Sequence, residues 1–214
     1  MRDLTIAVDC LNEEFVLPTR LAYCFLTISL IYFFTAFAAQ AHSGEGYGGG
    51  FVAGFTHPIL GWDHVAAMVA VGIWGAFLGA PAIWILPVVF PLVMAFGAIA
   101  GIIGIPIPAI ETGIALSAVV LGIMIVFAVK PPIWICAVIV GSFAIFHGYA
   151  HGTELPATVN AFAYAVGFVI STGLLHLTGI AFGLLVRWPA GRVAVRGAGG
   201  LIAFAGIAFL TGVA

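Results

Sequence analysis

Charge is what this sequence has least of. Only 7% of its 214 residues are Asp, Glu, Lys or Arg, against roughly a quarter in an ordinary soluble domain, and that scarcity excludes a soluble globule. The six Lys and Arg residues form no basic run that could track a phosphate backbone, and with eight Asp and Glu the formal net charge is −2. Nucleic acid is therefore not a partner. The three cysteines, Cys10, Cys24 and Cys136, stand far apart and without CxxC spacing, which indicates neither a disulfide framework nor a thiolate metal site. Cys136 reads as an apolar filler. No nucleotide-binding motif is found, so ATP is not the driver of any process within this chain.

Apolar residues fill the space that charge leaves. They make up 64% of the chain, and its 28 glycines and 11 prolines sit inside long apolar runs, where transmembrane helices tolerate them. The expected fold is an all-α, polytopic transmembrane helix bundle. At the N-terminus, Arg20 precedes an apolar run over 21–39 that ends in Ala39-Gln40-Ala41, a small-x-small pattern that predicts a signal peptide over 1–41, cleaved after Ala41. The run exceeds the usual signal core of ~7–15 residues, and four acids lie within 1–19. An uncleaved anchor helix is thus the alternative, and residues 1–19 are open to reading as a misassigned start.

After the leader, residues 42–56 read as a periplasmic N-terminal segment and 57–214 as a six-span membrane domain. A crossing needs roughly 20 apolar residues, and the runs that fit are 62–78, 83–103, 109–129, 133–151, 157–185 and 197–213. With the mature N-terminus outside, counting spans puts Lys130, Arg187, Arg192 and Arg196 on the cytoplasmic side, as the positive-inside rule requires. The same count brings Asp63, Glu111, Glu154, His57, His64, His147 and His151 to the outer helix ends. Gly75-x3-Gly79, Gly97-x3-Gly101 and Gly179-x3-Gly183 predict close helix contacts, and Pro87 and Pro91 predict a kink in the second span.

Two stretches carry chemistry. In Phe146-His147-Gly148-Tyr149-Ala150-His151-Gly152-Thr153-Glu154, His147, His151 and Glu154 fall at i, i+4 and i+7, on one helical face. Two imidazoles one turn apart are a chelate for a divalent first-row metal, and the carboxylate adds an oxygen ligand and a negative charge. Gly148 and Gly152 leave room for a neighbouring helix. The other stretch is His57-Pro58-Ile59-Leu60-Gly61-Trp62-Asp63-His64, where Pro58 and Gly61 predict a break between His57 and the helix that Asp63-His64 opens. Asp63 by itself would be a helix cap; the histidines on both sides favour a ligand.

Four neutral imidazoles with ionised Asp63 and Glu154 carry −2, and a bound divalent cation neutralises such a site, avoiding most of the cost of charge in hydrocarbon. Imidazole with carboxylate suits nickel, cobalt, copper(II), zinc or iron(II) and argues against copper(I). Met68, one turn after His64, reads as a core gap-filler. Glu111 is either a helix-end carboxylate or a residue of an ion path. His176, alone in its span, is either a relay inward or a packing histidine. His42 would become the N-terminal residue after cleavage, whose amine and ring can chelate a metal, but the surrounding stretch reads better as a flexible tail.

Both stretches resemble the motifs of the HupE/UreJ family of membrane proteins, which accompany the hydrogenases and ureases. The motif His-x5-Asp-His is matched by His57, Asp63 and His64, and Phe-His-Gly-x-(Ala/Val)-His-Gly-x-Glu is matched from Phe146 through Glu154. The signal-like leader, the span count, Glu111 ahead of Ile114-Ala115-Leu116-Ser117, and Leu175-His176 extend the similarity. Only residues 1–19 depart from it.

The resemblance implies permeation of nickel, or of cobalt in some members, and a multi-pass place in the bacterial inner membrane. It also implies partnership with hydrogenase or urease maturation. The expected function is a non-enzymatic secondary transporter that captures Ni²⁺ on His57, Asp63, His64, His147, His151 and Glu154 and releases it inward past His176. The alternatives are a metal-dependent intramembrane hydrolase and a membrane nickel chaperone without transport. Since protonated imidazole cannot ligate metal, uptake is expected to fall as the outside is acidified from about pH 7.5 to about pH 5.5; a flat profile over that interval would speak against capture by histidine.

Overall fold

The computed structural model describes residues 49–155 and 159–213. The expected signal peptide over 1–41 and His42 lie outside the described residues. The described chain is helical, with no strand: α1 (Gly49–Leu60), α2 (Trp62–Leu78), α3 (Ala82–Ile102), α4 (Ile110–Val126), α5 (Ile133–Glu154), α6 (Ala161–Gly183) and α7 (Pro189–Thr211), with a 3-10 turn over Leu184–Arg187 between the last two.

The six expected runs coincide with α2 to α7, but not all six qualify as spans. α1 occupies part of the stretch read as an extramembrane segment and carries Pro58 within it, and the expected break ahead of Asp63 falls at Gly61. α7 begins at Pro189, eight residues ahead of the expected start at 197, because proline suits the first helical turn and Arg192 and Arg196 are good helix formers. By length and composition, four of the described helices can cross a membrane, or five if the bent α1–α2 pair counts as one span. α4, with 17 residues, rises only about 25 Å against a hydrocarbon core of ~30 Å. α3 runs through both Pro87 and Pro91.

α2 is at the centre. It touches α1, α3, α4, α6 and α7, and Ala67, Met68, Ala70, Val71, Ile73 and Trp74 on it are buried, as expected of a helix apolar on every side. Met68 and Cys136 are both fully buried core residues. The outer faces expose Trp84, Phe96, Phe127, Trp134, Phe162 and Phe204, a density of large apolar side chains that suits lipid rather than water.

Packing relies on backbone contact. A Cβ at Gly148 or Gly152 of α5 would fall on the carbonyls of Met94 or Ala98 of α3, and one at Gly97 or Gly101 of α3 would fall on those of Ile145 or Tyr149 of α5. The two helices therefore interlock through four glycines. Gly72 of α2 and Gly179 of α6 meet in the same way. Gly79, expected at a helix contact, instead ends α2 at φ +83 with open space around it, a conformation that favours glycine.

The helices alternate in direction, so ionisable residues separate by end. Asp63, Glu111 and Glu154 lie at one end. At the other, Lys130, Arg192 and Arg196 share a cleft of about 330 Å³ with Phe77, Ala128 and Val186. There the Lys130 ammonium lies 4.8 Å over the Phe77 ring, and Arg196 Nε donates to the Val126 carbonyl at 2.6 Å.

Gly148→Leu is expected to lower the unfolding free energy in detergent by about 1–3 kcal/mol or more through overpacking. Gly173→Leu, where a Cβ meets nothing, is expected to leave it unchanged. Thermal melts of the two variants check this, and equal midpoints would contradict the interlock.

Candidate metal centre

The site begins at a break in the backbone. Pro58 cannot donate to the Gly54 carbonyl, which weakens the last turn of α1, and Gly61 then separates α1 from α2 at a bend of 77°. The bend brings His57, at the end of α1, to His64, in the first turn of α2: their ring centroids lie 5.5 Å apart, edge to face. A discontinuous helix at a binding site is a recurring device of membrane transporters.

α5 supplies the third imidazole. The Nε2 atoms of His64 and His151 are 2.7 Å apart, and the His57 and His151 rings are 4.7 Å apart. One ligand atom each from His57, His64 and His151 lie within 4.8 Å of one another, so this group could hold a metal ion. His64 and His151 are buried and His57 is half-buried. The motifs of α1–α2 and α5, separated by more than 80 residues, thus converge.

Asp63 orients the cluster. Its carboxylate accepts from His64 Nδ1 at 2.7 Å, and α2 is capped by Gly61 with no side-chain cap bond. The capping role weighed for Asp63 is therefore not the one it takes. With the His64 proton on Nδ1, its Nε2 carries a free lone pair and accepts from His151 Nε2–H; carboxylate–imidazole–metal chains use this arrangement to fix the tautomer and raise ligand basicity. To bind an ion through both rings, His151 would have to carry its proton on Nδ1, which has no partner, in place of Nε2. Nitrogens that share one ion at ~2.0–2.1 Å each also need a wider spacing than this hydrogen bond, so the rings must part slightly.

The other expected residues divide around this triad. His147 is fully buried, with its ring 5.3 Å from that of His64; its Nδ1 donates to the Phe143 carbonyl at 3.0 Å, which leaves Nε2 bare. Glu154 is exposed at the end of α5, outside the histidine triad, as is Glu111. Glu111 and Asp63 instead line one cleft of about 300 Å³, with Trp62, Ile114, Ala115 and Phe209. This acidic cleft opens onto the carboxylate that holds His64. His176 is buried on α6, where neither ring nitrogen has a hydrogen-bond partner.

Sequence reasoning assigned no role to the aromatic wall. Phe168 lies 4.3 Å from His151 and 6.3 Å from His57 between ring centroids, and Tyr164 lies 6.3 Å from His57. Their i, i+4 spacing with the later Thr172 and His176 was a signal open to the eye, one continuous face of α6.

Asp63→Asn keeps the shape of this site but removes its charge and the preference for the His64 tautomer, and is expected to weaken Co²⁺ binding by about 10–100-fold. Visible absorption titrations of the purified protein measure that. An unchanged affinity would remove Asp63 from the site.

The family model described as HupE / UreJ protein matches residues 30–209. Protein HupE of Rhizobium leguminosarum bv. viciae is 47% identical over 174 residues, covering 81% of this chain and 91% of the relative. No solved structure matches. With most of its length matched on both counts, the chain belongs to the HupE/UreJ family.

Proposed function

We propose that this chain is a secondary transporter, a permease that admits Ni²⁺, with Co²⁺ as a related cargo, from the periplasm to the cytoplasm of a bacterial inner membrane. It serves the maturation of a nickel enzyme, in partnership with hydrogenase or urease maturation proteins. The observation that carries the reading is the convergence of one ligand atom each from His57, His64 and His151 within 4.8 Å, with His64 and His151 buried and His57 half-buried among apolar helices. With Asp63 behind His64, this donor set suits a borderline divalent ion.

The acidic cleft supplies the approach. Asp63 and Glu111 on its walls raise the local concentration of a dication, and the ion then exchanges water for imidazole nitrogen at the α1–α2 break. Phe168 and Tyr164 close the far side of the triad and keep bulk water from competing with the ligands. The opposite, basic end is oriented to the cytoplasm by the positive-inside rule. A divalent ion moving inward gains about 4.6 kcal/mol per 100 mV of membrane potential, so facilitated passage needs no further source of energy.

The deciding experiment is ⁶³Ni²⁺ and ⁵⁷Co²⁺ uptake into sealed proteoliposomes under an imposed potential, for the wild type, His151→Ala and Asp63→Ala. Saturable uptake lost in both variants is the expected result. Metal that is bound but never admitted would replace the permease by a chaperone. In the same assay Glu111→Gln is expected to raise the half-saturating concentration several-fold with little change in maximal rate, because it acts on approach and not on the ligands.

A further inference from the structure

Several buried polar atoms remain that the histidine triad does not use. His147 Nε2, Ser171 Oγ, Thr172 Oγ1 and both ring nitrogens of His176 are buried and have no hydrogen-bond partner. An unpartnered polar group in an apolar interior costs on the order of 1–3 kcal/mol, and so many of them call for an occupant that solvates them. Many serines and threonines in membrane helices satisfy themselves by bonding back to their own helix, as Thr178 does to Leu174 and Ser142 to Val138. Ser171 and Thr172 do not.

These atoms follow one another through the bundle. On α6, Tyr164, Phe168, Thr172 and His176 recur at i, i+4 and therefore form one line. Its upper members face the triad, since Phe168 packs on His151 and His57. Its lower member, His176, meets the edge of the Phe90 ring at 5.5 Å, and that ring meets His147 at the same 5.5 Å. His147 in turn lies one turn below His151 on α5. Two helices thus present polar atoms in descending order from the triad, and Ser171 and Thr172 fall between the triad and His176. All four of these residues are at most 1% exposed, so none is at the protein surface.

The geometry points to an inner, wet half of the ion passage, in which Ser171, Thr172, His147 and His176 form a second, transient station for a hydrated divalent cation leaving the histidine triad. It rests on the permease reading. No carboxylate is among these residues, so the station is uncharged and holds a dication more weakly than the triad beside Asp63; a conducting pathway needs that difference, binding firmly enough to accept the ion and loosely enough to release it. The hydroxyls replace part of the hydration shell, and His176 offers nitrogen at the inner end.

Two measurements test this, one of them independent of flux. In a background with Cys10, Cys24 and Cys136 replaced by alanine, Thr172→Cys and Ser171→Cys are treated in proteoliposomes with the cationic reagent methanethiosulfonate ethylammonium, which needs the thiolate and hence water. Both are expected to react and to be protected by Ni²⁺, while Leu174→Cys, on the exposed apolar face of α6, stays unreactive. In the flux assay, the near-isosteric Thr172→Val is expected to lower the maximal rate of Ni²⁺ uptake by about tenfold with an unchanged half-saturating concentration, because the triad still captures the ion. Unreactive thiols at both positions, or wild-type flux in Thr172→Val, would overturn the inner station. Ni²⁺-protected labelling in a protein that carries no nickel would retain the wet passage and retire the permease reading.

Discussion

In an apolar helix bundle neither lipid nor the surrounding side chains satisfy a stray nitrogen or oxygen, and this constraint organises the whole centre of the protein. Each polar atom near the triad is either bonded for a purpose or left bare for one. Asp63 accepts a hydrogen bond from His64 Nδ1–H and the Phe143 carbonyl accepts one from His147 Nδ1–H. In both cases the bond occupies one ring nitrogen and turns the other, as a lone pair, toward the interior. Where that second nitrogen has no partner, as at His147 Nε2, its burial is costly.

Holding those lone pairs in place falls to residues without side chains. Gly97, Gly101, Gly148 and Gly152 bring the backbones of α3 and α5 into contact, and Gly148 and Gly152 alternate with His147 and His151 along α5. One helix therefore carries its two histidines and its packing surface in a single short segment, so the imidazoles cannot drift without opening the interlock. Gly72 and Gly179 do the same for α2 and α6, with His176 alongside. In lipid, where apolar burial between helices supplies little drive, close backbone packing of this kind is what positions a site.

The electrostatic plan follows from the alternation of helix direction. An acidic cleft faces one side and a basic cleft the other, with an uncharged, histidine-lined interior between them. Such a field favours cations at the acidic face and disfavours them at the basic one.

Helical class and most of the helices could be read from the chain, because twenty-residue apolar runs in a nearly uncharged sequence have few other uses. The shared face of His147 and His151 was readable too: they lie one turn apart, and helical periodicity alone puts them together. α1 was missed because Pro58 and glycine-rich flanks look like a loop until α6 is there to pack against, and α7 was begun too late because Arg192 and Arg196 look like a boundary. The meeting of His57 and His64 with His151 was expected from their shared ligand chemistry and not from periodicity, and the same reasoning wrongly placed Glu154 inside that triad. Periodicity governs neighbours within a helix, whereas the distance between residues of α1, α2 and α5 depends on a bend at Gly61 and on glycine contacts that only the packed bundle contains.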